Sequence, residues 1–396
     1  MYFTSMISLD GVLWYTVFLL GVTSCNAQWL VDDDGCRTPD RGVGTCMRAK
    51  LCKPLIDFLL SVPKPISQEV RTELSKYTCG YDGSIKVCCP SNPIVISTKR
   101  EDLNLLLDSP SPPPDITNHK NIGLLPKDCG YLGSPDKIRN GKDAKLDEFP
   151  WMALLSYNTN RGPQFQCGGT IVNNKYILTA AHCISDLIFP LVGVRVGEHK
   201  ISTKVDCEIR HNGKEFCSPN SVQDLAIEEV IIHPQFNRSI IVNDIGLLRV
   251  SEMNMDVENV RPVCLPTSEE TRNASFNYCV VTGWGFTDSQ GQNADVLQKV
   301  DLPVMNLTQC REIYKSEKKV KLSHRQLCAG GRNNKDSCPG DSGGPLHVAS
   351  FINDETRYVQ QGVVSFGHRF CGSVGFPGVY TKVAYYMDWI LDNMKP

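Results

Sequence analysis

Three short stretches carry the side chains most able to do chemistry: TAAHC at Thr179–Cys183, NDIGLL at Asn243–Leu248 and GDSGGP at Gly340–Pro345. A serine hydroxyl is a weak nucleophile until a neighbouring base takes its proton. Histidine suits that task near neutral pH, and a buried aspartate holds its tautomer and stabilises the imidazolium. The chain supplies the three groups in the order His182, Asp244, Ser342. GDSGG also fits G-x-S-x-G, the nucleophile elbow of α/β-hydrolases. That fold needs its acid and then its histidine after the serine. Only 396 − 342 = 54 residues follow Ser342, and they do not alternate strand with helix. Taken singly, each motif has a bland reading, a core histidine or a glycine-rich turn. Taken together and in this order, they read as a nucleophile, its base and an orienting acid.

The elements that must position them are short β-rich runs. From about Ile138 onward, QCGGTIV, KYILTA, VGVRVG, IGLLRV, CVVTGWG and QQGVVSFG are separated by turn signals, the pattern of an all-β barrel or sandwich. One helix is expected at the end, where Met387, Ile390, Leu391 and Met394 fall on one helical face. Upstream, SPSPPPD reads as a semi-rigid, polyproline-like linker. Six cysteines (Cys36, Cys46, Cys52, Cys79, Cys88 and Cys89) crowd a stretch too short for a large core, so disulfides must stabilise it. Six cysteines allow 15 pairings, and the sequence alone does not choose among them.

A chain of 396 residues suggests two or three domains, and 41% apolar with 21% charged residues is an ordinary globular balance. The net charge of −2 lacks the basic excess of a nucleic-acid binder. Eighteen cysteines point to an oxidising compartment, since the zinc spacing C-x₂-C…C-x₂-C does not occur. Gly11–Val22 is apolar but shorter than the roughly 20 residues of a spanning helix. Cys25-Asn26-Ala27 then offers small residues at a cleavage site. Residues 1–27 are therefore read as a secretory signal, with a retained anchor as the other reading. Its removal leaves 18 − 1 = 17 cysteines, an odd number.

Residues 138–396 resemble a chymotrypsin-family serine protease over their whole length, through FPWMALL, CGGTIV, TAAHC, CVVTGWG and DSCPGDSGGP. The module at 36–89 resembles a clip domain, and 90–137 is then a linker and activation segment. This combination is typical of arthropod haemolymph proteases in cascades leading to Toll activation or melanisation. GEHKISTKVDC and SVQDLAIEEVIIHPQF are similar to Grass-like and easter-like members. The resemblance implies a double β-barrel with a C-terminal helix. It makes His182 the general base and then acid, Asp244 its orienter and Ser342 the nucleophile, with the N–H groups of Gly340 and Ser342 as oxyanion hole. No cofactor is implied for catalysis.

The same resemblance places Asp336 on the floor of a pocket for substrate Arg or Lys, with Ser365, Gly367 and Gly378 also binding substrate. Pro339 and Phe366 depart from the family pattern at its rim. Lys137–Ile138 is the expected activation bond, and the freed amine of Ile138 would pair with Asp341. Arg139 and Asn140 are polar where the family has Val-Gly. Glu198 and Asp206, with the carbonyls of Lys200 and Thr203, would hold a structural Ca²⁺, although two loop acids by themselves read as solvated. The implied disulfides are Cys36–Cys88, Cys46–Cys79, Cys52–Cys89, Cys129–Cys264, Cys167–Cys183, Cys207–Cys217, Cys310–Cys328 and Cys338–Cys371. Cys279 is left over, as a buried thiol or an intermolecular bridge.

Sequons at Asn237, Asn273 and Asn306 become glycosylation candidates in a secreted chain. The implied partners are an upstream activating protease, a downstream zymogen or other protein substrate, and a serpin inhibitor. Neither nucleic acid nor membrane is expected. Two other readings are a clip-domain homologue without catalysis, which would typically lack the nucleophile, and a digestive trypsin, which the long N-terminal region opposes.

Overall fold

The computed structural model describes residues 35–39, 43–61, 74–81, 84–90, 111–131, 142–209, 213–218, 222–286, 293–317, 320–331, 338, 340–368 and 375–396. The chain divides into two units, Met1–Asn104 and Leu105–Pro396. No helix among the described residues is long and apolar enough to cross a membrane.

The smaller unit is built on four antiparallel strands, β1 (Gly35–Arg37), β2 (Val43–Arg48), β3 (Thr78–Tyr81) and β4 (Ile85–Pro90), in the order β1-β2-β4-β3. A helix absent from the sequence expectation, α1 (Lys53–Ser61), follows β2. The core is small: Cys52, Leu55, Tyr77, Val87 and Cys89. Disulfides Cys36–Cys88, Cys46–Cys79 and Cys52–Cys89 close loops of 52, 33 and 37 residues. In the chain-entropy picture each such closure disfavours the unfolded state by about 3–4 kcal/mol. Cross-links thus supply what so few buried side chains lack.

The larger unit holds β5 (Lys142–Asp143), β6 (Met152–Thr159), β7 (Gly162–Asn173), β8 (Tyr176–Thr179) and β9 (Leu191–Val196). It continues with β10 (Cys207–Ile209), β11 (Glu215–Cys217), β12 (Gln223–Leu225), β13 (Ile227–Ile232) and β14 (Gly246–Val250). The second half has β15 (Tyr278–Gly283), β16 (Gln298–Met305), β17 (Gln326–Ala329), β18 (Pro345–Ile352), β19 (Glu355–Phe366) and β20 (Gly378–Lys382). Short helices α2 (Glu269–Arg272) and α3 (Leu307–Ile313) interrupt the strands, and α4 (Met387–Asn393) ends the chain.

Two antiparallel sheets follow, ordered β12-β9-β6-β7-β8-β14-β13 and β15-β18-β19-β20-β17-β16-β5. In the second, β15 pairs with both β18 and β16, which closes a barrel. Tyr176, Ile177, Leu178 and Thr179 of β8 are all buried, whereas β13 alternates half-buried with exposed. Met387, Ile390, Leu391 and Met394 all turn into the larger core, as their spacing predicts.

The proline-rich segment is not a free spacer over its whole length. Residues 111–131 lie against the body of the larger unit. Ile116 is 1% exposed within its core. Asp115 pairs with the buried Arg272 at 3.0 Å, and Asn121 Nδ2 donates to the carbonyls of Leu391 and Met394. Gly130 exchanges backbone hydrogen bonds with Pro262 and Tyr358 beside the Cys129–Cys264 disulfide.

Candidate active site

His182 sits in the 3₁₀ turn Ala181–Cys183 that ends β8. Both neighbours are buried, and the Cys167–Cys183 disulfide fixes the turn. Tyr157 donates its hydroxyl to the Cys183 carbonyl at 2.7 Å, and Ser185 Oγ donates to Ala181 O. The imidazole Nδ1 lies 2.8 Å from Asp244 Oδ2, and the His182 backbone N–H donates to Asp244 Oδ1 at 2.9 Å. A carboxylate accepts, so Nδ1 carries the proton and Nε2 is left as the base.

Asp244 is 1% exposed and accepts a further hydrogen bond from Ser365 Oγ at 2.5 Å. Its own carbonyl accepts from Thr381 Oγ1. Asn243, just before it, has φ +53°, a left-handed conformation that asparagine tolerates. Tyr386 OH donates to Asn243 Oδ1, and Asn243 Nδ2 donates to Gln235 O. This turn aims Asp244 at the imidazole. Ser365, expected at the substrate, thus spends its hydroxyl on the acid. The roles of Tyr157, Thr381 and Tyr386 had no sequence signal, because partner choice here is tertiary.

Ser342 lies in the loop that leads into β18 of the second sheet. Gly168 N–H donates to Ser342 O at 2.8 Å. A Cβ at Gly343, whose φ is +80°, would come within 2.2 Å of Thr179 Oγ1, so only glycine lets the loop pack against the strand leading to His182. The N–H groups of Asp341, Gly343 and Gly344 are taken by the carbonyls of Cys338, Val364 and Asp341. Those of Gly340 and Ser342 meet no protein acceptor among the described residues. Two unclaimed donors beside a serine are what an oxyanion hole requires. The nearest partner of His182 Nε2 is Cys183 Sγ at 3.6 Å, and no hydrogen bond joins it to Ser342. Such bonds are often long until substrate arrives.

The Asp341 carboxylate accepts from Gly285 N–H and Cys338 N–H, both at 2.8 Å. Added Cβ atoms at Gly283 and Gly285 would fall 2.1 and 2.6 Å from it, so those glycines make the room. Part of the residue reaches solvent, but its carboxylate is enclosed. Burial pushes that acid up to about 6, against the two N–H donors that pull it down. Lys137, Ile138, Asp336, Pro339 and Cys371 lie outside the described residues. Gly378 is buried in β20, Gly367 is exposed, and Phe366 packs edge-on against Tyr314.

Glu198 and Asp206 are buried in one turn, at 7% and 8% exposure. Burial, then the charge of Asp206, raises Glu198 above the usual carboxylate range, and Arg195 at 3.3 Å only partly offsets this. That arginine also serves Asp224. Thr203 Oγ1 lies 2.5 Å from Asp206 Oδ1 and 3.1 Å from Lys200 O. The His199 N–H donates to both Glu198 Oε1 and Asp206 Oδ2, at 3.0 and 3.1 Å, so the two expected carboxylates meet within one turn. Seven of the eight implied disulfides are formed, including Cys207–Cys217 and Cys310–Cys328. Cys338 is also disulfide-bonded. Cys279 is the free cysteine among the described residues, buried on β15. Asn273 and Asn306 are exposed, while Asn237 is half-buried.

Comparison with known proteins matches residues 138–390 to the trypsin family and residues 36–89 to the regulatory CLIP domain of proteinases. Phenoloxidase-activating factor 1 of Holotrichia diomphalia is 38% identical over 394 residues, covering 97% of this chain and 98% of its own. Serine protease ea of Drosophila melanogaster is 36% identical over 91% of each chain. Serine protease grass of the same fly is 35% identical over 95% of this chain and 94% of its own. Among solved structures, the Drosophila Grass clip serine protease of the Toll pathway superposes with a TM-score of 0.61. It is 33% identical and covers 91% of this chain and 97% of its own.

Proposed function

Because the chain belongs to the clip-domain family of trypsin-like serine proteases, we propose that it is the secreted zymogen of an active endopeptidase in an extracellular immune cascade. The observation that carries this reading is the His182–Asp244 pair, with Ser342 in the loop packed on the strand before His182 and two N–H donors there that meet no acceptor among the described residues. A homologue acting only as cofactor would have no use for Ser342. In the proposed reaction His182 Nε2 takes the Ser342 proton as Oγ attacks the scissile carbonyl. Asp244 stabilises the imidazolium, and Gly340 and Ser342 N–H receive the oxyanion. His182 then protonates the leaving amine, and water repeats the cycle on the acyl-enzyme.

Asp336 is proposed to select Arg or Lys, since a carboxylate covered by bound substrate would need a charged partner. Cleavage at Lys137–Ile138 by an upstream protease would free the amine that pairs with Asp341. The output, Toll activation or melanisation, follows the relatives' cascades, with a downstream zymogen as substrate and a serpin as inhibitor. The test treats purified proenzyme with a trypsin-like protease and follows an arginyl chromogenic substrate. Activity is expected to arise with a new N-terminus at Ile138. No activity after that cleavage would favour the cofactor reading. Equal hydrolysis of a phenylalanyl substrate would remove Asp336 from the specificity pocket.

The turn at Glu198 fits a calcium ion: two buried, mutually repelling carboxylates and only oxygen donors suit a hard cation. Glu198, Asp206 and the carbonyls of Lys200 and Thr203 would hold it, and it would neutralise the repulsion. Millimolar Ca²⁺ against chelator is expected to raise Tm by about 4–5 °C, as for a ligand near 100 times its Kd. Asp206→Asn should abolish that shift; an unchanged Tm in the wild type counts against the site.

A further inference from the structure

His347 lies on β18, five residues past Ser342, and is fully buried. Three aromatic rings enclose its imidazole, with centroids 5.1 Å away for Phe149, 5.7 Å for Trp151 and 4.8 Å for Tyr358. Phe149 and Trp151 belong to the turn that leads into β6 of the first sheet, whereas His347 and Tyr358 belong to β18 and β19 of the second. The ring thus sits in the seam where the two sheets meet. Neither of its nitrogens has a hydrogen-bond partner among the described residues. An imidazole buried this way is tolerated only while neutral, because a buried charge needs a counter-charge and hydrogen-bond acceptors.

The groups packed around it supply neither. Before β6, Glu148 is bound by Lys299, whose Nζ lies over the Phe149 ring at 5.9 Å. On β19, burial and then the charges of Glu148 and Asp301 push the Tyr358 phenol up to about 12, so it stays neutral. Gln360, across from His347 on the same strand, commits its amide nitrogen to Gly362 O. On β15 the residue across is Val280, and Asp301 of β16 lies one strand further. Burial alone takes the His347 imidazole down to about 3, with no charge among these groups shifting it. We propose that His347 is an acid-sensitive latch, whose protonation parts the seam between the two sheets and disables the loop that carries Ser342. The first half stands on the packing, and the second rests on Ser342 being the nucleophile. The path between them is short. β18 starts at Pro345, and the loop before it is held by Gly343 N–H on Val364 O and Gly344 N–H on Asp341 O. Between pH of about 6.5 and about 3 the unfolded chain carries the His347 proton and the native chain does not. Stability is therefore full above that window and falls as pH drops through it, by up to about tenfold in the folding constant per pH unit.

Urea unfolding of the uncleaved full-length chain, followed by tryptophan fluorescence, is compared for wild type and His347→Phe at pH 7.5 and 4.5. Phenylalanine keeps a ring of similar size that no proton charges. Asp341 titrates in the opposite sense in the uncleaved chain, but it does so in both proteins, so the ratio of their folding constants isolates His347. That ratio, variant over wild type, is expected to rise about 100-fold from pH 7.5 to pH 4.5. A ratio that stays the same overturns the latch. If His347→Phe does not fold, the wild type answers alone. Exchange of the imidazole C2 proton for deuterium, read by mass spectrometry of the peptide holding His347, gives that ring's own midpoint. A midpoint below about 5 is expected, and one near the ordinary value of about 6.5 overturns the proposal. For the second half, cleaved wild type and variant are held at pH 4.5 and assayed on an arginyl amide after return to pH 7.5. The variant should lose activity at least tenfold more slowly. Equal rates of loss overturn the link to Ser342, as does the absence of any activity before the acid step, which also counts against the proposed function.

Discussion

Ser342→Ala in the cleaved protein is expected to lower kcat on an arginyl amide by about 10⁶-fold with little change in KM. The loss is large because Ser342 and His182 act as a unit, so His182→Ala should cost about as much and the double variant no more. Asp244→Asn should cost about 10⁴-fold, by presenting the wrong tautomer of an imidazole whose Nδ1 sits 2.8 Å from the acid. What survives, about 10³-fold over water, should come from the N–H groups of Gly340 and Ser342 and from substrate binding. Rates on highly purified variants check this. Multiplying losses in the double variant, or robust turnover by Ser342→Ala, would exclude the mechanism.

Asp341→Asn is expected to let the activation bond be cut yet yield almost none of the wild-type activity. The buried carboxylate of Asp341 awaits a cation, and an amide cannot pair with the new amine. The uncleaved wild type carries a pH signature of this arrangement. Its native acid titrates near 6, above an unfolded value of about 3.8, so the native state binds more protons between those limits. Stability should therefore fall as pH rises from about 4 to about 6, by at most about 3 kcal/mol. Once the amine of Ile138 pairs with the carboxylate, that decline should vanish. The amine's own pKa is then raised above its unfolded value of about 8. Its contribution is full below that value and is lost as pH rises through the native one, so alkaline pH should inactivate the enzyme. Tm at pH 4.5 and 7.5, before and after cleavage, checks both signs. Identical slopes in the two forms would rule out the pairing.

The chemistry was legible because it is written in short local words. TAAHC, NDIGLL and GDSGGP name their roles, and the strand runs around them overlap β7, β8, β9, β14, β15 and β19, some running one or two residues past the strand ends. Disulfide partners were not legible from spacing and came only through resemblance. Helix α1 escaped because a short apolar run after Cys52 looks alike as strand or helix. The docking of residues 111–131 escaped for a different reason. It rests on one buried side chain, Ile116, and on polar contacts from Asp115 and Asn121 to distant residues. No periodicity announces such contacts. The support of Asp244 by Ser365, Thr381 and Tyr386 was hidden in the same way, since each partner lies more than 100 residues away.

Cys279 turns the second barrel into its own gauge. The thiol is 2% exposed beneath the β15–β16 pairing and lies 3.5 Å from Leu302 O. Burial, with the charge of Asp301, holds its pKa far above the usual thiol range, so the nucleophilic thiolate is scarce and screened from reagents. An alkylating dye can then reach it only when these strands part. Among the described residues every other cysteine is disulfide-bonded, so the labelling rate would read how often this barrel opens, without any engineered probe.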